Sequence, residues 1–444
     1  MDQALAIAAQ IGEERLIRYF GLVHAIQAGV VLVSGLNNHA ALGDRVVFDL
    51  TGGAQIQGEV IALQARFAAI LPEGPSEGLH IGARAELLFA PRLRPGPDWV
   101  GRIIDPLGQP LDGRPLEQGG AALRYRAPPP PAASRKRLGE RLDTGLAVFD
   151  TLLPIVKGQR LGLFAGSGVG KSTLLSALAK GVSADVVVIA LIGERGRELR
   201  EFVEEVLGPE GMARAVVVAA TSDQSPMMRR RCAWAGMTVA EYFRDQGAHV
   251  LFLADSITRF AEAHREIALA GGESPSYRGF PPSVSNLIMA LAERSGPGPA
   301  GAGDITALFS VLVAGSDMEE PIADILRGVL DGHIVLDRAI AERGRFPAID
   351  VLRSVSRSLP QAASEAENSL IARARAMLGS YAESELMIRA GLYAAGSDQM
   401  LDEAVRLYPA LDNFVTLKAE NTAESFTLLA EALARGPQNA PRAM

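Results

Sequence analysis

After about residue 145 the chain alternates short apolar runs with helix-patterned stretches, and this alternation restricts the fold more than any other feature. RLGLF (160–164), DVVVIALI (185–192), RAVVVAA (214–220), HVLFLAD (249–255) and ITALFSVLV (305–313) are apolar runs of strand length. Such runs suit strands buried on both faces, and their separation by helical patterns is the signature of βαβ units with a parallel sheet. Between the first two runs, STLLSALAKG reads as a short helix closed by Gly181. The core is therefore expected to be α/β.

The flanks read differently. In the first ninety residues, GVVLVSG (29–35), DRVVFDL (44–50), GEVIALQARFAAIL (58–71) and ARAELLF (83–89) are apolar runs bounded by Gly, Asn, Asp or Pro. Their close spacing with turn signals predicts a small antiparallel β-barrel or sandwich. A short helix is expected before it, because Ala4, Ile7 and Ile11 share one helical face. From about 91 the chain is dense in Pro and Gly, and APPPPAASRKR (127–137) reads as an extended linker with solvated charges. Beyond 360, Leu370, Ile371, Ala374, Met377, Leu378 and Tyr381 keep amphipathic helix spacing, and GSD at 396–398 supplies a stop and a new N-cap. The expected division is 1–90, 91–358 and 359–444, the last part helical.

Composition narrows the class. With 444 residues, 48% apolar residues and a net charge of -7, the chain suits a globular protein of about three domains and offers no bulk basic charge for nucleic acid. Its one cysteine, Cys232, excludes an internal disulfide framework, and the start MDQALAIAAQIGEER lacks the basic-then-apolar order of a secretory signal. No uninterrupted apolar run is long enough to span a bilayer. A cytoplasmic location is the default expectation.

The candidate chemistry begins at AGSGVGKST, Ala165 to Thr173, between the first strand and the first helix. Ala165 stands where the phosphate-loop pattern usually has its first glycine; Gly170, Lys171 and Ser172 are in place. A strand leading in and a helix leading out make the amides of Gly166, Ser167, Gly168, Val169 and Gly170 converge with the helix N-terminus on one anion site. Lys171 is then placed for the β and γ phosphates of ATP, and the Ser172 hydroxyl, with Thr173 beside it, for Mg²⁺. Hydrolysis requires two carboxylates more. Asp255 ends a buried strand, where a metal-side aspartate would stand. Glu194 follows another strand in a Gly-bracketed loop, where it could orient water; Arg195, Arg197 and Glu198 beside it could equally form a surface ion-pair cluster.

Several longer stretches carry a resemblance. GERGRE, ATSDQSPMMRRRCAWAGMTVAEYFRDQG, HVLFLADSITRFAEAHREIALAGGE, MEEPIADILRGVLDGHIVLDR and GRFPAIDVLRSVSR resemble, in order, the rotary ATP synthase catalytic-subunit superfamily, and within it the flagellar and type III secretion export ATPases. The resemblance runs from about 90 to about 410. It implies an α/β fold built on a RecA-like P-loop ATPase core, with an N-terminal small β-barrel and a C-terminal helical domain. It implies that Glu194 polarises the attacking water, that Phe346 stacks on adenine, that Arg357 is supplied to a neighbour's nucleotide and that Arg195 stands near the γ phosphate. It further implies a homohexameric ring at the cytoplasmic face of the inner membrane, peripherally associated. Its expected partners are the export gate, regulatory stalk proteins, and export chaperones with their substrates.

Other classes share parts of this pattern. A catalytic subunit of a proton-translocating ATP synthase would share the active-site residues. A virulence secretion ATPase differs mainly in its genomic neighbourhood. A non-catalytic ring subunit is expected to lack Glu194, and an RNA-translocating hexamer would want a basic, aromatic-bearing surface that a chain with 5% aromatics does not advertise.

Overall fold

The computed structural model describes residues 17–313 and 318–434. The helix expected around Ala4, Ile7 and Ile11 lies outside the described residues. Two units are formed: one takes in the chain up to Arg92 together with 224–228 and 262–283, the other the remainder.

The first unit contains a closed six-stranded barrel. Its strands are β1 (Phe20–Gln27), β2 (Val30–Ser34), β3 (Arg45–Asp49), β4 (Gln55–Leu63), β5 (Phe67–Pro72) and β6 (Arg84–Phe89), ordered β1-β2-β5-β4-β3-β6. Val31, Val33, Val46, Phe48, Ile70 and Ala85 fill the interior, all at 0% exposure. Closure removes the free edges that an open sheet of this size would present to other chains. The run GEVIALQARFAAIL is a hairpin of β4 and β5, and β1 comes from a stretch without a predicted strand.

The second unit is built on a nine-stranded sheet. Its long strands are β7 (Arg102–Ile104), β8 (Arg160–Ala165), β9 (Val186–Glu194), β10 (Ala215–Thr221), β11 (His249–Asp255), β12 (Asp304–Leu312), β13 (Gly332–Leu336) and β14 (Ile349–Ser356). The order is β14-β13-β8-β12-β11-β9-β10-β7, parallel throughout this path except for β14 against β13. The five runs singled out in the sequence are its central strands, and near-total burial explains their unbroken apolar character. The chain's helices include α1 (Lys171–Gly181), α2 (Gly196–Glu201), α3 (Pro226–Asp245), α4 (Pro321–Val329), α5 (Glu365–Arg389), α6 (Gln399–Phe414) and α7 (Thr422–Ala434).

The C-terminal helices close as the sequence indicates. Ser364 caps α5 in a reciprocal box with Glu367, and Asp398 caps α6 by accepting from the amides of Met400 and Leu401. Their apolar faces, with Ile371, Leu407, Leu411 and Leu429, join the same core as Leu163, Leu191 and Leu253 of the sheet. The basic run near 135 departs from expectation. Arg135 donates to the carbonyl of Ser295 at 3.2 Å, and Lys136 lies 2.8 Å from Asp304, so these charges are held by acceptors of the sheet unit instead of being free in solvent.

Candidate active site

In a parallel sheet, ligands gather beyond the carboxyl ends of the strands, and here β8, β9 and β11 all end at one place. β8 runs into the glycine loop, β9 ends on Glu194 and β11 on Asp255. The loop keeps its shape through two left-handed glycines, Gly168 (φ 77) and Gly170 (φ 84), the latter forming the N-cap of α1. Val169, 2% exposed, anchors the loop in the core, and Val313 donates to the Ala165 carbonyl at 3.1 Å. Gly166 is half-buried and Ser167, Ser172 and Thr173 are exposed, so the loop presents amides and hydroxyls to a ligand.

Lys171 Nζ forms an ion pair with Asp255 Oδ1, which also accepts from the Ser310 hydroxyl at 2.7 Å. Asp255 is only 4% exposed, and these two donors supply the partners that a buried carboxylate needs. Ser172, Glu194, Glu198 and Asp255 line one cavity, with Leu191, Leu199, Phe202 and Val206 as its apolar wall. That wall matters electrostatically. Burial pushes the Glu194 carboxyl up to about 7, the Asp255 charge adds to the rise, and Lys171 works against it. Glu198 moves the other way: Glu194 donates to it and Arg195 lies beside it, and these outweigh its own desolvation. A glutamate poised near neutrality beside a phosphate loop can take hydrogen bonds from water, and its proton, at little cost. Ser172 and Asp255 together offer hard oxygen donors, the set that suits Mg²⁺ when phosphate and water complete the shell.

Phe346 lies at the other end of the loop. A Cβ at Gly170 would come within 3.3 Å of its ring, and the ring is 51% exposed. It shares a second cavity with Arg343, Arg345, Pro409, Asp412, Asn413 and Thr416. Arg345 ties the two sides of that cavity, its Nε 3.1 Å from Asp412 Oδ1 and its guanidinium donating to the carbonyls of Pro347 and Ile349.

Two of the residues singled out in the sequence stand apart. Arg195 has a 75% exposed side chain, paired with Glu198 at 2.9 Å. Arg357 follows β14, whose last residue Ser356 pairs with Gly332 at the amino edge of the sheet, whereas its first residue Ile349 pairs with Leu336 at the loop edge. The Arg357 amide donates to the Asp331 carbonyl at 3.0 Å, and the Asp331 carboxylate holds Arg160 at the start of β8. From Arg160 to Ala165 is five residue steps, about 17 Å at 3.3 Å per residue, farther than an arginine side chain reaches. Its guanidinium instead donates to the Arg327 carbonyl at 3.1 Å, near the C-terminal end of α4.

Reading the sequence missed two contributors. Ser310 sits on β12, and only the strand order reveals that it faces Asp255. The wall from Pro409 to Asn413 belongs to α6, with Thr416 just beyond it, all remote in sequence from Phe346. Glu198, placed by the sequence in an ion-pair cluster with Arg195, does pair with it and also lines the cavity.

The family described as ATP synthase alpha/beta family, nucleotide-binding domain, matches residues 145–356, and the T3SS EscN ATPase C-terminal domain matches 363–431. The chain is 47% identical to the flagellum-specific ATP synthase of Caulobacter vibrioides, over 93% of this chain and 96% of that one. This chain belongs to the flagellar and type III secretion ATPase family. The ATPase is also 43% identical to the flagellum-specific ATP synthase of Bacillus subtilis, with 89% of this chain and 90% of that one covered. With the protein of the same name from Salmonella typhimurium it shares 41% identity, covering 90% of each. Among solved structures, the assembled ATPase EscN from the enteropathogenic E. coli type III secretion system superposes with a TM-score of 0.85 at 35% identity, covering 93% of this chain and 100% of that one. The same protein in complex with its central stalk EscO gives 0.84 at 35% identity, with the same coverage. Among the described residues, no helix of the ATPase is long and apolar enough to cross a membrane.

Proposed function

We propose that this ATPase is the homohexameric motor of a flagellar protein export apparatus, using ATP hydrolysis to release chaperones from export substrates and promote their unfolding. The observation that carries the ring is the placement of Arg357, about 17 Å from its own phosphate loop by strand geometry. An arginine there serves a neighbour's γ phosphate. The competent site then lies between subunits, and fingers supplied in this way contribute on the order of 10³ in rate. The flagellar assignment is supported by identities of 47% and 43% to flagellum-specific relatives against 35% to EscN.

In this reading the loop amides and Lys171 wrap the β and γ phosphates of ATP, and Lys171 turns from Asp255 to them. Ser172 and Asp255 would hold Mg²⁺, which would supply positive charge to neutralise the phosphates. Glu194 accepts from the attacking water and sets its line of approach. Phe346 stacks on adenine, and Arg195 gives the γ phosphate a second cation once its pair with Glu198 opens. The motor works peripherally at the cytoplasmic face of the inner membrane. Its partners are the export gate, a regulatory stalk like the one in complex with EscN, and chaperones with their cargo; the part beyond 359 is the surface offered to them.

The test is the concentration dependence of turnover. Specific activity is expected to rise steeply with protein concentration, in parallel with a six-subunit species in sedimentation with a non-hydrolysable ATP analogue. Full turnover by a species that sediments as a monomer would overturn the reading.

A further inference from the structure

One buried side chain that the proposed chemistry does not use lies at the root of Arg357. Gln159 immediately precedes β8 and is fully buried. Its Nε2 donates to the Asp331 carbonyl at 3.1 Å and to Ser356 Oγ at 3.0 Å, while its Oε1 accepts from the Val156 amide at 3.0 Å. Both hydrogens of the amide are thus committed to the two residues that fix Arg357. Asp331 accepts the Arg357 amide through the same carbonyl, and Ser356 is its chain neighbour. Ser356 Oγ in turn donates to the Pro154 carbonyl at 2.6 Å and lies 2.9 Å from Ser358 Oγ, so Arg357 is held on both sides by buried hydroxyls joined to the segment that leads into β8.

A buried amide with both hydrogens and its oxygen engaged stabilises one arrangement of its partners and penalises the others, because a shift strands a polar group away from water. The strand that starts beside Gln159 ends, five residues later, in the phosphate loop.

We propose that Gln159 is a positioning residue for Arg357, tying the arginine offered to the neighbouring subunit to the strand that carries the subunit's own phosphate loop. The inference rests on the reading of Arg357 as acting in trans. Gln159→Leu, which keeps volume and removes the three bonds, lowers kcat tenfold or more while the affinity of the unassembled subunit for ATP stays unchanged. Ser356→Ala, a smaller change that keeps the Gln159 bonds to Asp331 and Val156, lowers kcat in the same direction and serves if the first variant does not fold.

Mixed rings separate this role from a merely structural one. Glu194→Gln subunits have a dead site and an intact Arg357, so they complement a subunit whose own site is sound but whose Arg357 is misplaced. Titrating Glu194→Gln into Gln159→Leu, or into Ser356→Ala, is expected to restore ATPase activity with a maximum at intermediate ratios. No recovery with either, while Arg357→Ala is rescued by the same partner, overturns the role of Gln159 and leaves the trans reading standing. No recovery with Arg357→Ala removes the trans reading itself.

Discussion

Arg357→Ala separates binding from turnover, and the geometry sets both magnitudes. Arg357 and the loop both face solvent, so at about 17 Å a unit charge contributes 332/(80 × 17), roughly 0.2 kcal/mol, to each charge of an anion at its own loop, before salt reduces it further. That is a change in affinity of about 1.5-fold per phosphate charge in the absence of salt. The transition state in the neighbour's site loses a charge-assisted contact that contributes on the order of 10³ in rate, about 4 kcal/mol. Fluorescent-nucleotide titration of the dilute subunit and steady-state phosphate release at ring-forming concentration measure the two quantities. Affinity within twofold of the wild type, with turnover down by two to three orders of magnitude, is the expected outcome. Near-normal turnover refutes the trans arginine, and a tenfold loss of affinity in the dilute subunit refutes the strand geometry that keeps Arg357 from its own loop.

Phe346→Ala removes the exposed ring beside Gly170, and base stacking of this kind is worth about 1–3 kcal/mol. KM for ATP should rise about fivefold or more with kcat little changed, and an unaltered KM would move the base elsewhere. His249 makes stability depend on pH. Burial, with Lys157 adding, holds its imidazole below its ordinary range, and its Nε2 lies 2.9 Å from Thr306 Oγ1. As pH falls through about 6.5 the unfolded chain takes up this proton before the folded one, so stability is lost with acidification at up to about 1.4 kcal/mol per unit. Denaturation midpoints from pH 7.5 to 5.5 should fall less steeply for His249→Gln than for the wild type; parallel slopes would remove His249 from the account.

The central strands could be read from the chain because each is buried on both faces, which leaves an apolar run with no interruption. β1 was not, and its residues say why: Phe20, Leu22 and Ile26 point outward with only His24 among them polar, while Val23 is buried, so the alternation is masked. The β4–β5 hairpin was read as one run because Gln64–Arg66 turns without Gly, Pro or Asn. In the site, a local motif located Lys171 and Ser172, and strand ends located Glu194 and Asp255. What could not be read was adjacency across the sheet. Ser310 meets Asp255, and Gln159 meets Ser356, only because β12 and β14 take their places in the strand order.

The cavity beside Phe346 has walls of different origin, one from the segment after β13 and the other from Pro409 to Asn413 of α6 and Thr416 just beyond it. A purine lodged there would act as a clip, fastening the helical end of the molecule to the sheet from which the phosphates hang. Leverage on the far end of the α5–α6 pair, where Leu386, Met387, Leu392 and Met400 are exposed, would arrive at the base and not at the γ phosphate. A push on those helices would therefore register first as a change in how long spent nucleotide lingers, with the bond-breaking step left to its own pace.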